Sequence, residues 1–326
     1  MQFLVNTNYD FMGKRNIALA VSAIATLIAI GSLIAHGGPK YSVDFTGGSF
    51  VEVRFDRPVD TADLRAAMTG IGLGGTEIQK VGTESDYIFR MPEAEVTAKT
   101  RELLQGEIAN PYGLIEHAVK KQLPEVRSEL RRQETVGPKI GSELRDRATK
   151  AVLVALVLML VYIALRFPGL SFAVCAVIAL FHDVILTIGV LSVLGKEVSL
   201  TVLAALLTIA GYSINDTIVV YDRIREELKA HRREPLDQVI NRAVNLTLSR
   251  TMLTGLTTIL SLIALLIFGG TVIHDFAFTL LIGVLWGTYS SVFVASALVV
   301  AWEKWHAARE AGQQGRRREK QAARPA

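Results

Sequence analysis

Long apolar stretches alternate with polar ones along this chain, and the apolar stretches recur six times. A helix needs about 20 mostly apolar residues to cross the hydrocarbon core of a bilayer. The pattern therefore predicts a polytopic α-helical membrane protein. Its predicted spans cover residues 16–36, 148–165, 170–194, 198–221, 248–268 and 276–302.

In the longest polar stretch, residues 37–147, apolar and polar residues alternate over shorter distances along the chain. The sequence YSVDFTGGSFVEVRFD alternates apolar and polar positions on both sides of Gly47 and Gly48, which predicts a strand, a bend and a strand. Asp44 belongs to the same motif. The segments that follow give the order β-α-β-β-α-β, which is typical of a small α+β domain of the ferredoxin-like type. Residues 110–124 fit no element of that order.

Composition supports the membrane assignment and limits the chemistry. Hydrophobic residues make up 50% of the chain and the mean hydropathy is +0.35, which is too apolar for an ordinary soluble domain. Cys175 is the only cysteine, so neither an intrachain disulfide nor a cysteine-based metal site is available. The sequence pI of about 9.1 arises from short basic segments beside the apolar stretches. That distribution indicates membrane topology and not nucleic-acid binding.

The basic segments predict the orientation. Lys14 and Arg15 precede the first span, and residues 222–250 and 303–326 hold seven Lys/Arg each. Cytoplasmic loops of membrane proteins carry an excess of Lys and Arg. Residues 1–15, the loop 222–247 and the basic tail 303–326 are therefore predicted to be cytoplasmic, and residues 37–147 periplasmic.

Ionisable residues interrupt three of the predicted spans. They are His182 with Asp183, Asn215 with Asp216, and Arg250. An aspartate at the centre of a membrane helix costs about 2.5–3.5 kcal/mol on insertion scales, so such residues face a bundle interior and mark functional sites by default. A polar pair that only joins helices is the alternative. Asp216 lies about 9 Å of helix from its cytoplasmic end, and Arg250 enters the next span from that end, which predicts an Asp216–Arg250 pair.

Two further features bear on assembly and catalysis. Small residues recur every four positions in the last span, at Gly283, Gly287, Ser291 and Ala295, which predicts close packing of another helix. The chain lacks a Gly-x-Gly-Asp motif, a zincin motif and a P-loop. We therefore expect no catalytic residues, no metal and no bound cofactor.

Several of these motifs resemble the SecF subunits of the SecD/SecF family, which belongs to the RND superfamily of transporters. They follow the family's order and spacing from residue 9 to about residue 296. The matching sequences are YDFMGKR, VDFTGG, VGPKIGSEL, LFHD, GYSINDTIVVYDRIRE and SRTMLTGLTTIL. The resemblance implies six spans that form half of an RND-type unit, in the bacterial inner membrane.

The resemblance also implies a function and partners. It implies an auxiliary subunit that pairs with SecD and uses the proton motive force to help preproteins through the SecYEG channel, with YajC and YidC as further candidate partners. Protons are then the coupling ion, and Asp216 and Arg250 are the implied proton-transport residues, with Asn215 beside them and His182 and Asp183 as weaker candidates. A proton-coupled exporter of small molecules or lipids is the alternative, and a passive assembly subunit is a third.

The predicted orientation has a direct test. A cysteine at Ser85, in a chain from which Cys175 has been removed, is expected to react with a membrane-impermeant thiol reagent in intact spheroplasts, because residues 37–147 are predicted to be periplasmic. Labelling that requires lysis of the spheroplasts would contradict this topology.

Overall fold

The computed structural model describes residues 7–105, 110–167, 170–306 and 308–309. Pro168 and Gly169, between the second and third predicted spans, and the basic tail from residue 310 onwards lie outside the described residues. The chain divides into two compact units, Met1–Lys40 with Val152–Ala326, and Tyr41–Ala151.

The described residues form mostly long helices and one small sheet. In chain order the elements are α1 (Arg15–Ala35), α2 (Val43–Thr46), β1 (Gly48–Phe55), α3 (Thr61–Gly70), β2 (Glu77–Lys80), β3 (Asp86–Met91), α4 (Glu93–Leu104), α5 (Pro111–Gln122), β4 (Ser128–Val136), α6 (Pro138–Arg166), α7 (Leu170–Val193), α8 (Leu200–Ala230), α9 (Leu236–Phe268), α10 (Gly270–Ser290) and a π-helical turn (Ser291–Ala295). Six of the helices are long and apolar enough to cross a membrane: α1, α6, α7, α8, α9, and α10 with its continuation to His306.

Several spanning helices extend beyond the apolar stretches that predicted them. Helix α8 runs on to Ala230 and α9 begins at Leu236, so most of the predicted loop 222–247 is a helical hairpin. Glu227 of α8 joins the two helices of the hairpin, because its carboxylate lies 3.7 Å from Arg242 of α9. The apolar pattern locates the bilayer core and not the ends of the helices.

The small residues of α10 pack against α8 of the same chain. A Cβ at Gly283 would lie 2.2 Å from the Ile209 side chain, and a Cβ at Gly287 would lie 3.2 Å from the Cβ of Ser213. The predicted close packing is therefore present, but within this chain. The helix that these two glycines approach is α8.

The unit Tyr41–Ala151 has the predicted ferredoxin-like topology. Its four strands are ordered β2-β3-β1-β4 and every neighbouring pair is antiparallel. Val51, Val53 and Phe55 of β1 are buried with Leu64 and Met68 of α3. Helix α5 fills the stretch that fitted no element and adds one helix to the predicted order.

The segment before the glycine pair is a helical turn and not the predicted strand. The Ser42 side chain accepts a hydrogen bond from the backbone N–H of Asp44 at 3.3 Å and so begins α2. Gly47 has φ 75° and Gly48 φ 123°, a region that residues with a Cβ avoid. A Cβ at Gly48 would lie 2.8 Å from the carbonyl oxygen of Met91 in β3. The two glycines therefore turn the chain into β1 at a point where the neighbouring backbone leaves no room for a side chain.

An ion pair joins the two central strands of this sheet, β1 and β3, near the end of β1. Arg54 of β1 donates to both carboxylate oxygens of Asp86 in β3, at 2.6 and 2.8 Å. These bonds and one from the Thr83 hydroxyl lower the pKa of Asp86 to about 2. Because the pKa is lowered in the fold, the stabilisation is complete above the ordinary aspartate pKa and is lost as the pH falls towards 2.

Replacing Gly48 by Ala is expected to destabilise this unit by about 1–3 kcal/mol, since the new Cβ meets both a positive φ and the Met91 carbonyl. Thermal unfolding of the purified chain in detergent measures the effect. Gly70→Ala is the matched control, because a Cβ there would meet nothing within 4 Å. Equal stability of the two variants would contradict the role given to the glycine pair.

Candidate functional site

Asp183 of α7 is fully buried in the bundle. One carboxylate oxygen, Oδ1, lies 2.9 Å from Nδ1 of His182. The other, Oδ2, accepts hydrogen bonds from Ser213 of α8 at 2.5 Å and from Ser290 of α10 at 2.6 Å. Each oxygen therefore has a partner within the chain. This arrangement ties three spanning helices together at one carboxylate.

Asp216 of α8 has a different environment. Its Oδ1 accepts a hydrogen bond from the Thr251 hydroxyl of α9 at 2.7 Å. Its Oδ2 is buried and accepts no hydrogen bond of good geometry among the described residues, although the Ser291 hydroxyl lies nearby. A buried polar atom without a partner costs about 1–3 kcal/mol, more when it is charged. Asp216 is thus the less satisfied of the two intramembrane aspartates.

A π-helical turn lies beside Asp216. Such turns are rare and often occur at functional sites. The hydroxyl of Ser291, the first residue of this turn, lies 3.2 Å from the Thr217 hydroxyl, and the Tyr221 hydroxyl donates to the Ala295 carbonyl at 3.1 Å. The irregular turn therefore packs against the part of α8 that follows Asp216.

The predicted Asp216–Arg250 pair does not form in this structure. Within the described residues Arg250 has no ion pair, and its side chain is exposed. It lines a cleft of about 1070 Å³ together with Asn245 and Leu253 of α9 and with the segment that precedes α1. Thr251 holds the position beside Asp216, and Arg250 is its neighbour in the same helix.

Asn215 lies on an exposed face of α8 with Thr208 and Gly211. Helix α9 also carries exposed hydroxyls, at Thr254, Thr257 and Ser261. Those hydroxyls and that of Thr208 donate to carbonyls four residues earlier in their own helices, at 2.7–3.0 Å. The face is polar in composition, yet its hydroxyls are satisfied locally.

Three hydrogen-bond donors of these sites, Ser213, Ser290 and Thr251, were not predicted. Ser213 lies three residues before Asp216 and Thr251 directly follows Arg250, but serine and threonine are common in membrane helices and carry no distinctive spacing. Among the described residues, no group of three or more His, Cys, Asp or Glu is placed to hold a metal ion.

These features define a multi-pass membrane protein with buried carboxylates and one small extramembrane α+β domain. Residues 116–305 match the model of the C-terminal region of protein export membrane proteins SecD/SecF. Residues 32–59 match the SecD/SecF GG motif, which contains Gly47 and Gly48. The chain belongs to the SecD/SecF family, as its motifs had indicated.

Its relatives include separate and joined subunits. It is 47% identical over 300 residues to the protein translocase subunit SecF of Magnetococcus marinus, across 91% of this chain and 93% of that protein. It is 41% identical to the protein translocase subunit SecDF of Thermus thermophilus, across 95% of this chain but 40% of that protein. A crystal structure of SecDF from the same organism, a translocon-associated membrane protein, superposes with a TM-score of 0.80 at 40% identity. The superposition covers 93% of this chain and 40% of the SecDF chain.

Asp183→Leu is expected to destabilise the bundle by about 1–3 kcal/mol, because the hydroxyls of Ser213 and Ser290 lose their acceptor. Asp183→Asn keeps one acceptor oxygen and is expected to lose less. Thermal unfolding in detergent measures both, with Ser261→Ala on the exposed face of α9 as the control. A Leu variant as stable as the parent would exclude the tethering role.

Proposed function

We propose that this chain is the SecF-type auxiliary subunit of the Sec protein translocase. In this proposal it pairs with SecD in the bacterial inner membrane and uses the proton motive force to promote preprotein movement through SecYEG. Both termini are cytoplasmic, and residues 37–147 are periplasmic. The chain has no catalytic residue and no bound cofactor, and protons are the coupling ion. Similarity to SecF over nine tenths of the chain supports the role in translocation.

The observation that carries the proton-transport part is the unpaired oxygen of Asp216. Its Oδ2 is buried and accepts no hydrogen bond of good geometry in the part of the chain that the structure describes. A lone carboxylate in an apolar site either takes up a proton or acquires a cation beside it. Asp183 has partners on both oxygens, which favours a tethering role for it and for His182.

The neighbouring positions of Thr251 and Arg250 suggest how the proton is released. Consecutive residues of a helix point about 100° apart. A rotation or shift of α9 would therefore replace the Thr251 hydroxyl beside Asp216 by the Arg250 guanidinium. The positive charge of a guanidinium stabilises the ionised carboxylate. A hydroxyl carries no charge, so burial then favours the neutral, protonated carboxyl group. Movement of α9 and protonation of Asp216 are coupled in this scheme.

Covalent continuity supports transfer of such movement to the periplasmic domain. Strand β4 ends at Val136 and helix α6 begins at Pro138, so one residue separates the sheet from a spanning helix. A short connection transmits displacement better than a flexible linker. We infer that helix movement in the membrane becomes movement of the domain that meets the preprotein.

A SecD partner is part of the proposal. The Thermus thermophilus relative named SecDF is more than twice as long as the matched segment, since this chain covers 40% of it. The polar face of α8 at Thr208, Gly211 and Asn215 is exposed in this chain, and a polar face within a membrane calls for a helix partner or a wet cavity. SecYEG, and YajC or YidC as further candidates, follow from the family alone.

Asp216→Asn is expected to abolish the stimulation of preprotein translocation by a proton gradient while the complex with SecD still assembles. The side chain keeps its shape but cannot change charge. The measurement is translocation into inverted membrane vesicles with and without an imposed gradient. Arg250→Lys is expected to retain part of the stimulation, because the charge remains but the planar fork is lost.

The matched control for that experiment is Asp222→Asn. Asp222 lies six residues further along α8 and pairs with Arg166, so the variant removes an aspartate from the same helix away from the site. Gradient stimulation equal to the parent in the Asp216 variant would reject the mechanism. Stimulation that is lost together with copurification with SecD would favour the passive assembly subunit. A proton-coupled exporter would neither copurify with SecYEG nor alter preprotein translocation.

A further inference from the structure

The segment before α1 is bound to the cytoplasmic half of α9 through side-chain amides. Asn245 accepts a hydrogen bond from the backbone N–H of Tyr9 at 2.9 Å and donates to the Tyr9 carbonyl at 2.9 Å. One asparagine side chain thus satisfies both backbone groups of one residue. Asn245 itself is buried.

Asn241, one turn earlier in α9, continues the same pattern. Its side chain accepts from the backbone N–H groups of Phe11 at 2.8 Å and Met12 at 3.1 Å, and donates to the Tyr9 carbonyl at 3.0 Å. Asp237, another turn earlier, lies 3.0 Å from Arg15 and 2.7 Å from Lys304. Residues at four-residue spacing share one helix face, so one polar stripe of α9 binds residues 9–15.

Apolar contacts hold the same segment from the other side. Met12 is 2% exposed and belongs to the core of the bundle. The Phe11 ring packs edge to face on Phe293, with 5.4 Å between ring centroids. A segment outside helices and strands keeps a fixed place only when its backbone groups and its side chains are both bound, and here both conditions hold.

The binding site is close to the two α9 residues that the proposed mechanism uses. Asn245 lies five residues before Arg250 and six before Thr251, or about 7.5 and 9 Å along the helix. The segment also forms the wall of the cleft that Arg250 lines, through Thr7, Asp10, Met12 and Gly13. A helix turn transmits an anchoring force over such a distance because its backbone is rigid.

We propose that residues 7–15 form an N-terminal clasp that fixes the rotation and position of α9, and that Asn241 and Asn245 are positioning residues for Thr251 and Arg250. The clasp determines which of the two faces Asp216. Its consequence for translocation rests on the proposed function, whereas its effect on helix position does not.

The first measurement tests whether the asparagines hold the clasp. Met12→Cys, in a chain with Cys175→Ala, is expected to be protected from a thiol reagent applied to inverted vesicles containing the complex. Adding Asn241→Leu with Asn245→Leu is expected to raise its labelling rate about tenfold or more. Gln238→Leu is the matched control, because Gln238 is exposed on the same half of α9. Unchanged labelling in the double Leu variant would overturn the proposal.

The second measurement follows the position of α9 without using transport. Cysteines at Asp216 and Thr251, whose side chains are in contact, are expected to form a disulfide on mild oxidation. Release of the clasp is expected to reduce the rate of this crosslinking severalfold, while Gln238→Leu leaves it unchanged. An equal rate with the clasp released would show that the clasp does not position α9, whatever the protein transports.

The third measurement separates this inference from the proposed function. With native Asp216 and Thr251, the double Leu variant is expected to lose most of its gradient stimulation, and Asn245→Asp, which still accepts from Tyr9 but cannot donate, is expected to lose less. Full stimulation in a variant whose clasp is released would overturn the positioning role if Asp216→Asn abolishes stimulation. If Asp216→Asn retains it, the proposed function fails and the crosslinking rate alone decides the clasp.

Discussion

The hydrogen bonding of carboxylates inside the bilayer is the constraint on which this bundle depends. Both carboxylate oxygens of Asp183 have hydrogen-bond partners within the chain, and these partners belong to α7, α8 and α10. Asp216 meets this constraint on one oxygen through Thr251 of α9. Hydrogen bonds between membrane helices average about 0.6 kcal/mol, less than the cost of a buried charge. The fully bonded aspartate therefore fits a structural role, and the half-bonded one fits a change of protonation.

Close helix packing and an irregular turn make these hydrogen bonds possible. Ile209 and Ser213 of α8 occupy the space that side chains would fill at Gly283 and Gly287 of α10. That approach brings the hydroxyls of Ser213 and Ser290 to the same oxygen of Asp183. The π-helical turn itself contacts α8, because Ser291 and Ala295, its first and last residues, meet Thr217 and Tyr221. The small residues allow the helices to approach closely, and the hydroxyls then reach their hydrogen-bond partners on the neighbouring helix.

The sequence predicted what depends on local pattern and failed where distant segments meet. The spans could be located because hydrocarbon thickness sets helix length, and the domain order followed from alternation and turns. Gly283 and Gly287 predicted a close contact but not which helix makes it, because a small residue carries no information about its partner. Ser42 capped a helical turn where alternation had indicated a strand. Asn241 and Asn245 gave no signal at all, since an amide that binds a backbone more than 200 residues away has no sequence signature.

The exposed polar face of α8 and the unpaired oxygen of Asp216 are adjacent in sequence, and this adjacency limits how the site is completed. Hydroxyls on the face are satisfied by their own helices, which leaves Asn215 as the polar group of α8 that a partner would meet. Asn215 points away from the bundle, while Asp216, the next residue, points towards α9. A helix that covers Asn215 from outside therefore lies beside the same turn of α8 from which Asp216 reaches inward. Under the proposed function, partner binding and proton binding act on one helical turn, and α9, held at Asn241 and Asn245 by the segment before α1, is the element that can respond to both.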